Sequence, residues 1–179
     1  EDSNPFANKF INLLSVGSLT LQKGFDVLID AMEYVISERQ DIFLTILGEG
    51  HLKEDLQRRI DEKRFNSHIV LAGFKTNPFP YFYNADRFIL SSRYEGLPNV
   101  ALEAIALGTP VIAFDCPSCI RDIITDPTKG TIVSPFTAAA LSENILKSCK
   151  NETIKTVSTL SESFKLQSVI LQYQDLFIE

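Results

Sequence analysis

Short apolar runs alternate along this chain with longer stretches in which apolar residues return every three or four positions. Residues 11–16 (Ile-Asn-Leu-Leu-Ser-Val) read as a first strand ended by Gly17, and residues 42–47 as a second ended by Gly48-Glu49-Gly50. Between them, residues from about 23 to 38 put Val27, Leu28, Ala31, Met32, Val35 and Ile36 on one helical face. A charged amphipathic helix follows, with Leu52, Leu56 and Ile60 on its buried side. Further strands are predicted at 68–71, before Gly73, and at 87–90, 110–113 and 130–133. A short aromatic helix is expected around Tyr81 to Tyr83, and others beginning near Pro98 and Ser118. Beyond Val133 the pattern is helical to the end, and over residues 161–179 Leu166, Val169, Ile170, Tyr173, Leu176 and Phe177 form an apolar stripe.

Six brief strands with little polar alternation, separated by helices, imply a parallel sheet covered on both faces. The expected fold is therefore a Rossmann-like, doubly wound α/β domain. Such sheets bind ligands beyond the carboxyl ends of their strands. Here those ends carry Gly17, Gly48, Gly50, Gly73 and the pair Ser91-Ser92 leading to Gly96.

Composition narrows the picture. A chain of 179 residues that is 45% hydrophobic and 22% charged suits one globular domain. A net charge of −6 argues against a sequence-independent nucleic-acid binder and against binding an anionic membrane by charge alone. No apolar run approaches the roughly 20 residues that span a bilayer, so no transmembrane segment is predicted and a cytoplasmic setting is expected. The only methionine is Met32, and residues 1–9 read as linker, so the chain is expected to be part of a longer protein. Three cysteines, Cys116, Cys119 and Cys149, do not make a disulfide framework.

The segment from Ser91 to Ala104 concentrates the chemistry. Pro98 suits a first helical turn and Gly108 a helix end. Leu97, Asn99 and Val100 would then offer backbone N–H groups at a positive helix terminus, an anion site suited to a diphosphate. Glu95 lies just before that terminus, and Glu103 lies four residues after Asn99 on the same face. Carboxylates beside a phosphate site are repelled unless they accept hydrogen bonds from something else, and vicinal sugar hydroxyls supply such donors. Alternatively, both acids simply favour the helix dipole.

Glu95 and Glu103, with seven residues between them in Glu-Gly-Leu-Pro-Asn-Val-Ala-Leu-Glu-Ala, resemble the motif of retaining GT-B glycosyltransferases of the GT4 type. Val16-Gly-Ser-Leu with Lys23-Gly-Phe-Asp-Val-Leu-Ile-Asp-Ala31 is similar to the first donor-binding segment of that family. Leu47-Gly-Glu-Gly50, Val70-Leu-Ala-Gly-Phe74, Gly108-Thr-Pro-Val111 and Gly130-Thr-Ile-Val133 match in order and spacing.

The resemblance implies one half of a GT-B fold that holds a nucleotide-diphosphate sugar such as a UDP-sugar. The sugar would pass, with retention, to a glycan or lipid-linked acceptor in polysaccharide or lipopolysaccharide synthesis. It implies that Lys23 neutralises the departing diphosphate and that Glu95 meets the sugar hydroxyls, the two catalytic candidates, while Glu103 meets the ribose. Gly17, Ser18, Gly48 and Arg93, with the backbone of Gly96, Leu97, Asn99 and Val100, complete the implied donor site, and Ala72 to Lys75, with Gly73 and Phe74, would lie near the base. It further implies no metal cofactor, and an acceptor site on an amino-terminal domain outside this chain, toward which the helix at 161–179 would cross. Contact with the inner membrane face would also come from outside this chain.

Two departures stand out. The family commonly has arginine where this chain has Ser18, so either Lys23 works alone or Arg93 compensates. Where relatives commonly read Pro-Ser-Gly-Pro-Arg-Glu, this chain reads Pro117-Ser-Cys-Ile-Arg-Asp122. Cys116-Pro-Ser-Cys119 also has the setting of a thioredoxin-like motif. A zinc site there would need two more ligands, with only His51 and His68 available, both read as surface or strand-end residues. Other readings remain a nucleotide-sugar epimerase or phosphorylase of the same architecture, or a non-catalytic nucleotide-binding module.

Overall fold

In the computed structural model of the protein, residues 4–6 and 9–150 are described. Six strands, β1 (Ile11–Val16), β2 (Ile42–Leu47), β3 (Ile69–Leu71), β4 (Arg87–Leu90), β5 (Val111–Phe114) and β6 (Gly130–Val133), form one parallel sheet in the order β3-β2-β1-β4-β5-β6. The helices are α1 (Phe25–Glu38), α2 (Lys53–Glu62), α3 (Phe79–Asn84), α4 (Asn99–Ala106), α5 (Ile120–Ile123) and α6 (Ala138–Ser148). The doubly wound fold predicted from the hydrophobic pattern is present.

Alternation along the strands builds two cores. Leu13 joins Leu28, Ile29, Met32 and Val35 of α1 and Leu141 and Ile145 of α6 on one face. Its neighbour Leu14 joins Phe82 of α3 and Ala101, Ala104 and Ile105 of α4 on the other. The same division repeats in β4, where Ile89 faces the first core and Phe88 and Leu90 the second. Because both faces are covered, the strands carry continuous apolar runs, which is why they were legible.

Differences from the expected elements sit at their ends. β3 and β5 each begin one residue later than predicted, at Ile69 and Val111. α1 begins at Phe25, so Lys23 lies before it, in a single 3₁₀ turn over Leu21–Lys23. Pro98 precedes α4 and does not occupy its first turn. The predicted linker at 1–9 falls partly, and the helix at 161–179 wholly, outside the described residues.

In the strand order, chain succession reverses between β1 and β4, the switch point at which open α/β sheets bind ligands. The loops leaving those two strands carry Lys23 and Glu95.

Candidate functional site

The two loops are clamped together by backbone geometry and polar contacts. Gly24 has φ +64°, and a Cβ there would lie 2.1 Å from the Ser91 carbonyl oxygen, so the approach needs glycine. Ser91 Oγ donates to the Lys23 carbonyl at 2.8 Å, and the Arg93 N–H donates to the Gln22 carbonyl at 2.8 Å. Gln22 Nε2 donates in turn to the Tyr94 carbonyl at 3.0 Å.

That clamp brings Lys23 Nζ within 2.7 Å of Glu95 Oε1, and the side chains are only 17% and 7% exposed. Ser92 Oγ, itself buried, donates to the same Glu95 oxygen at 2.6 Å. The methylene stem of Lys23 passes over Gly17, where a Cβ would meet its Cδ and Cε at 3.2 Å. The Glu95 N–H donates to the Pro117 carbonyl at 3.1 Å, which fixes the loop from the β5 side. The two residues expected to be catalytic thus form one buried ion pair.

Arg93 is engaged by groups of the Lys23 turn and α1. Its guanidinium donates to both carboxylate oxygens of Asp26, at 2.9 and 2.7 Å, and to the Leu21 carbonyl at 2.7 Å. It also lies 5.5 Å from the Phe136 ring centroid. Burial pushes the Asp26 carboxyl up, but the hydrogen bond and charge of Arg93 outweigh it and hold the pKa below its ordinary value. Arg93 therefore braces the Lys23 turn against the Glu95 loop. An acid with a lowered folded pKa supplies stability above its unfolded pKa and loses it as pH falls through the folded one. Arg93→Ala is expected to lower stability at pH 7 by on the order of 1 kcal/mol, solvent screening included. Urea unfolding should show that loss shrinking below about pH 4.

The start of α4 differs from the expectation at one amide. The Asn99 N–H donates to the Leu97 carbonyl at 2.9 Å across Pro98, whose φ −77° and ψ 77° are those of an inverse γ-turn. Asn99 is thus not an open amide. Among the described residues, the amides of Gly96, Leu97 and Val100 donate to no backbone carbonyl. Gly108 ends the helix as expected, with φ +78° and its N–H on the Ile105 carbonyl.

Glu103 is half-buried on α4, and burial alone pushes its carboxyl above the ordinary glutamate value. An acid raised in this way destabilises the folded chain once pH climbs through its pKa, because the folded state then gives up a proton it holds more tightly. Glu103→Gln is expected to raise Tm at pH 7 by up to about 2 °C and to leave it unchanged near pH 4. Scanning calorimetry at the two pH values checks this.

Beside the ion pair, a cleft of about 540 Å³ opens at the ends of β1, β2 and β3. Val16, Leu47, Phe74 and Pro78 supply apolar walls, and Gly17, Ser18, Gly48, Glu49 and Lys75 its polar rim. Phe74 is 72% exposed. With Arg93 engaged elsewhere, the cation that shares this cleft with Ser18 is Lys75. A second cleft of about 500 Å³ lies between the end of α1 and α6 and contains none of the motif residues.

The Cys116–Cys119 loop is tied to the Glu95 loop. Both thiols are free, Cys119 Sγ lies 3.6 Å from the Gly96 carbonyl, and burial pushes the Cys116 thiol up, away from the reactive thiolate. His51 is exposed, and His68 is a buried strand-end residue whose Nδ1 lies 3.0 Å from the Ile42 carbonyl. Gln22 and Asp26 were not singled out in the sequence, and the Ser91-Ser92 pair was placed at the sheet's ligand edge without these contacts.

The sequence matches the family described as "Glycosyl transferases group 1" over residues 1–165. The chain belongs to that family. It is 37% identical over 121 residues to an uncharacterized glycosyltransferase of Methanocaldococcus jannaschii, covering 68% of this chain and 30% of that one. It is 36% identical over 126 residues to N-acetylgalactosamine-N,N'-diacetylbacillosaminyl-diphospho-undecaprenol 4-alpha-N-acetylgalactosaminyltransferase of Campylobacter jejuni, covering 70% and 33%. The chain thus spans about a third of the length of these relatives. Staphylococcus aureus TarM, crystallised with fondaparinux, alpha-GlcNAc-glycerol and UDP, shares the fold with a TM-score of 0.86 at 22% identity, over 96% of this chain and 36% of that one. The sheet and its helices are those of one half of a GT-B glycosyltransferase. Among the described residues, no helix is long and apolar enough to cross a membrane.

Proposed function

We propose that this chain is the donor-binding part of a retaining glycosyltransferase, which moves a sugar from a nucleoside-diphosphate sugar to a glycan or lipid-linked acceptor. The observation that carries this reading is the buried Lys23–Glu95 pair, 2.7 Å apart, set beside the open amides that precede and start α4. A cation and a helix terminus suit a diphosphate, and a carboxylate beside them suits sugar hydroxyls.

In this reading the bond between the anomeric carbon and the phosphate oxygen breaks with its electron pair on the diphosphate. The ammonium of Lys23 and the amides of Leu97 and Val100 take up the developing charge, electrostatic stabilisation that is already in place before the bond breaks. The acceptor hydroxyl oxygen bonds to the same face of the anomeric carbon, and its proton passes to the departing phosphate oxygen. Glu103 accepts hydrogen bonds from the ribose, and the cleft walled by Phe74 and Leu47 takes the base. The diphosphate is met by protein groups in place of a divalent ion. Acceptor binding belongs to the part of the relatives' length that this chain does not cover. So does any peripheral contact with the inner face of the membrane in a cytoplasmic setting, consistent with the diphospho-undecaprenol in the name of the C. jejuni relative.

A thermal-shift panel of UDP-, GDP- and ADP-sugars tests the reading. A ligand at 100 times its dissociation constant stabilises by about 2.7 kcal/mol, roughly 5–10 °C in Tm for a chain of this size. One nucleotide class is expected to shift the transition. No shift with any of the three overturns the donor-site reading.

A further inference from the structure

The geometry around Glu95 assigns a second property to the site. Oε1 of Glu95 is doubly occupied, by Lys23 Nζ at 2.7 Å and Ser92 Oγ at 2.6 Å. Lys23 is therefore paired with the very group that would greet the sugar, although its charge is wanted by the diphosphate. Both side chains are largely buried, so their attraction is little screened by solvent. A diphosphate that draws the Lys23 ammonium toward itself weakens this contact and leaves Glu95 as a carboxylate without its counter-charge, close to an anion. Removing one partner of a buried pair is costly because the other charge stays behind.

Resting on the donor-site reading, we propose that Lys23 and Glu95 form an exchange pair that couples recognition of the diphosphate to recognition of the sugar. When an intact nucleoside-diphosphate sugar binds, Lys23 turns to the diphosphate and the sugar hydroxyls replace it on Glu95, so both charges stay satisfied. When a bare nucleoside diphosphate binds, nothing replaces Lys23 on Glu95, and the pair competes with the ligand. The same competition acts after transfer. Once the sugar has left, Glu95 reclaims Lys23 and weakens the hold on the nucleoside diphosphate, which favours its release. Ser92 is a positioning residue here, holding the carboxylate in reach of Lys23.

Glu95→Gln separates this from a plain binding role, because glutamine keeps the shape and an acceptor oxygen while removing the charge that competes for Lys23. Titration calorimetry with UDP, GDP and ADP first identifies the nucleoside diphosphate that the wild-type chain binds. That probe is expected to bind Glu95→Gln about three- to tenfold more tightly than wild type, while its sugar-bearing form binds about tenfold more weakly. Simple removal of a negative charge would also favour an anion, so the comparison is repeated with Lys23→Met. There, adding Glu95→Gln is expected to leave nucleoside-diphosphate affinity within about twofold. If Glu95→Gln binds the bare probe no better than wild type, the exchange is refuted and the donor site stands. If the gain persists with Lys23→Met, the effect is general electrostatics and the exchange is likewise refuted. Failure of the wild-type chain to bind any of the three nucleoside diphosphates would remove the donor site and the exchange together.

Discussion

Lys23→Met is expected to lower kcat for sugar transfer by the complete enzyme by about a hundredfold to a thousandfold, the scale of losing one preorganised group that stabilises transition-state charge. Methionine keeps an unbranched stem over Gly17 and removes only the ammonium, so the effect reports charge more than packing. It falls on kcat because the diphosphate gains most of its charge as the glycosidic bond breaks. The substitution also strands the Glu95 carboxylate, which retains Ser92 alone among its side-chain partners in the structure. A stability loss of about 1–3 kcal/mol is expected from that alone. The double variant Lys23→Met, Glu95→Gln separates the two effects. It should recover most of the lost stability, measured by urea unfolding, and none of the lost kcat.

Gly48→Ala is expected to be among the most damaging small substitutions in the described chain. Gly48 has φ +143°, a region that side-chain-bearing residues rarely enter, and a Cβ there would sit 1.9 Å from the Gly17 carbonyl oxygen. Neither loop can retreat easily. The Gly17 N–H is bonded to the Leu47 carbonyl and the Gly48 N–H to the Gly73 carbonyl, both at 3.0 Å. The three strand exits therefore form one tied corner beneath the cleft. Strain plus overlap should cost about 3 kcal/mol or more, roughly 6–12 °C in Tm. Gly96→Ala is the control. A Cβ at Gly96 has nothing within 4 Å, so stability should stay within about 0.5 kcal/mol of wild type. Thermal unfolding of the two variants side by side gives the comparison.

The strands were legible because a sheet covered on both faces writes itself as uninterrupted apolar runs, and residues 11–16 and 42–47 match β1 and β2 end to end. The donor motif was legible because its glycines, proline and acids are local in sequence. What sequence spacing could not convey is pairing across the switch point. Lys23 and Glu95 are 72 residues apart, as Arg93 and Asp26 are 67 apart. Only the clamp between the Gly24 turn and Ser91 decides which cation meets which acid. The Arg93–Asp26 pair was not legible because Asp26 lies on a helix that follows a different strand. The Asn99 amide looked open for a subtler reason: Pro98 can either lead a helical turn or close a γ-turn, and the second choice consumes that N–H. The contact from Ser92 to Glu95 was hidden because a serine at a strand end is ordinarily read as a terminator and not as the hydrogen-bond donor that orients an acid.

On the reading proposed above, the switch point between β1 and β4 holds a nucleoside diphosphate. A crystal structure of the chain soaked with UDP is the test. The diphosphate is expected at the amides of Leu97 and Val100 within reach of Lys23, the ribose hydroxyls on Glu103, and the base in the cleft beside Phe74. UDP bound at any other place, with the start of α4 and Glu103 untouched by it, would overturn the donor-site reading.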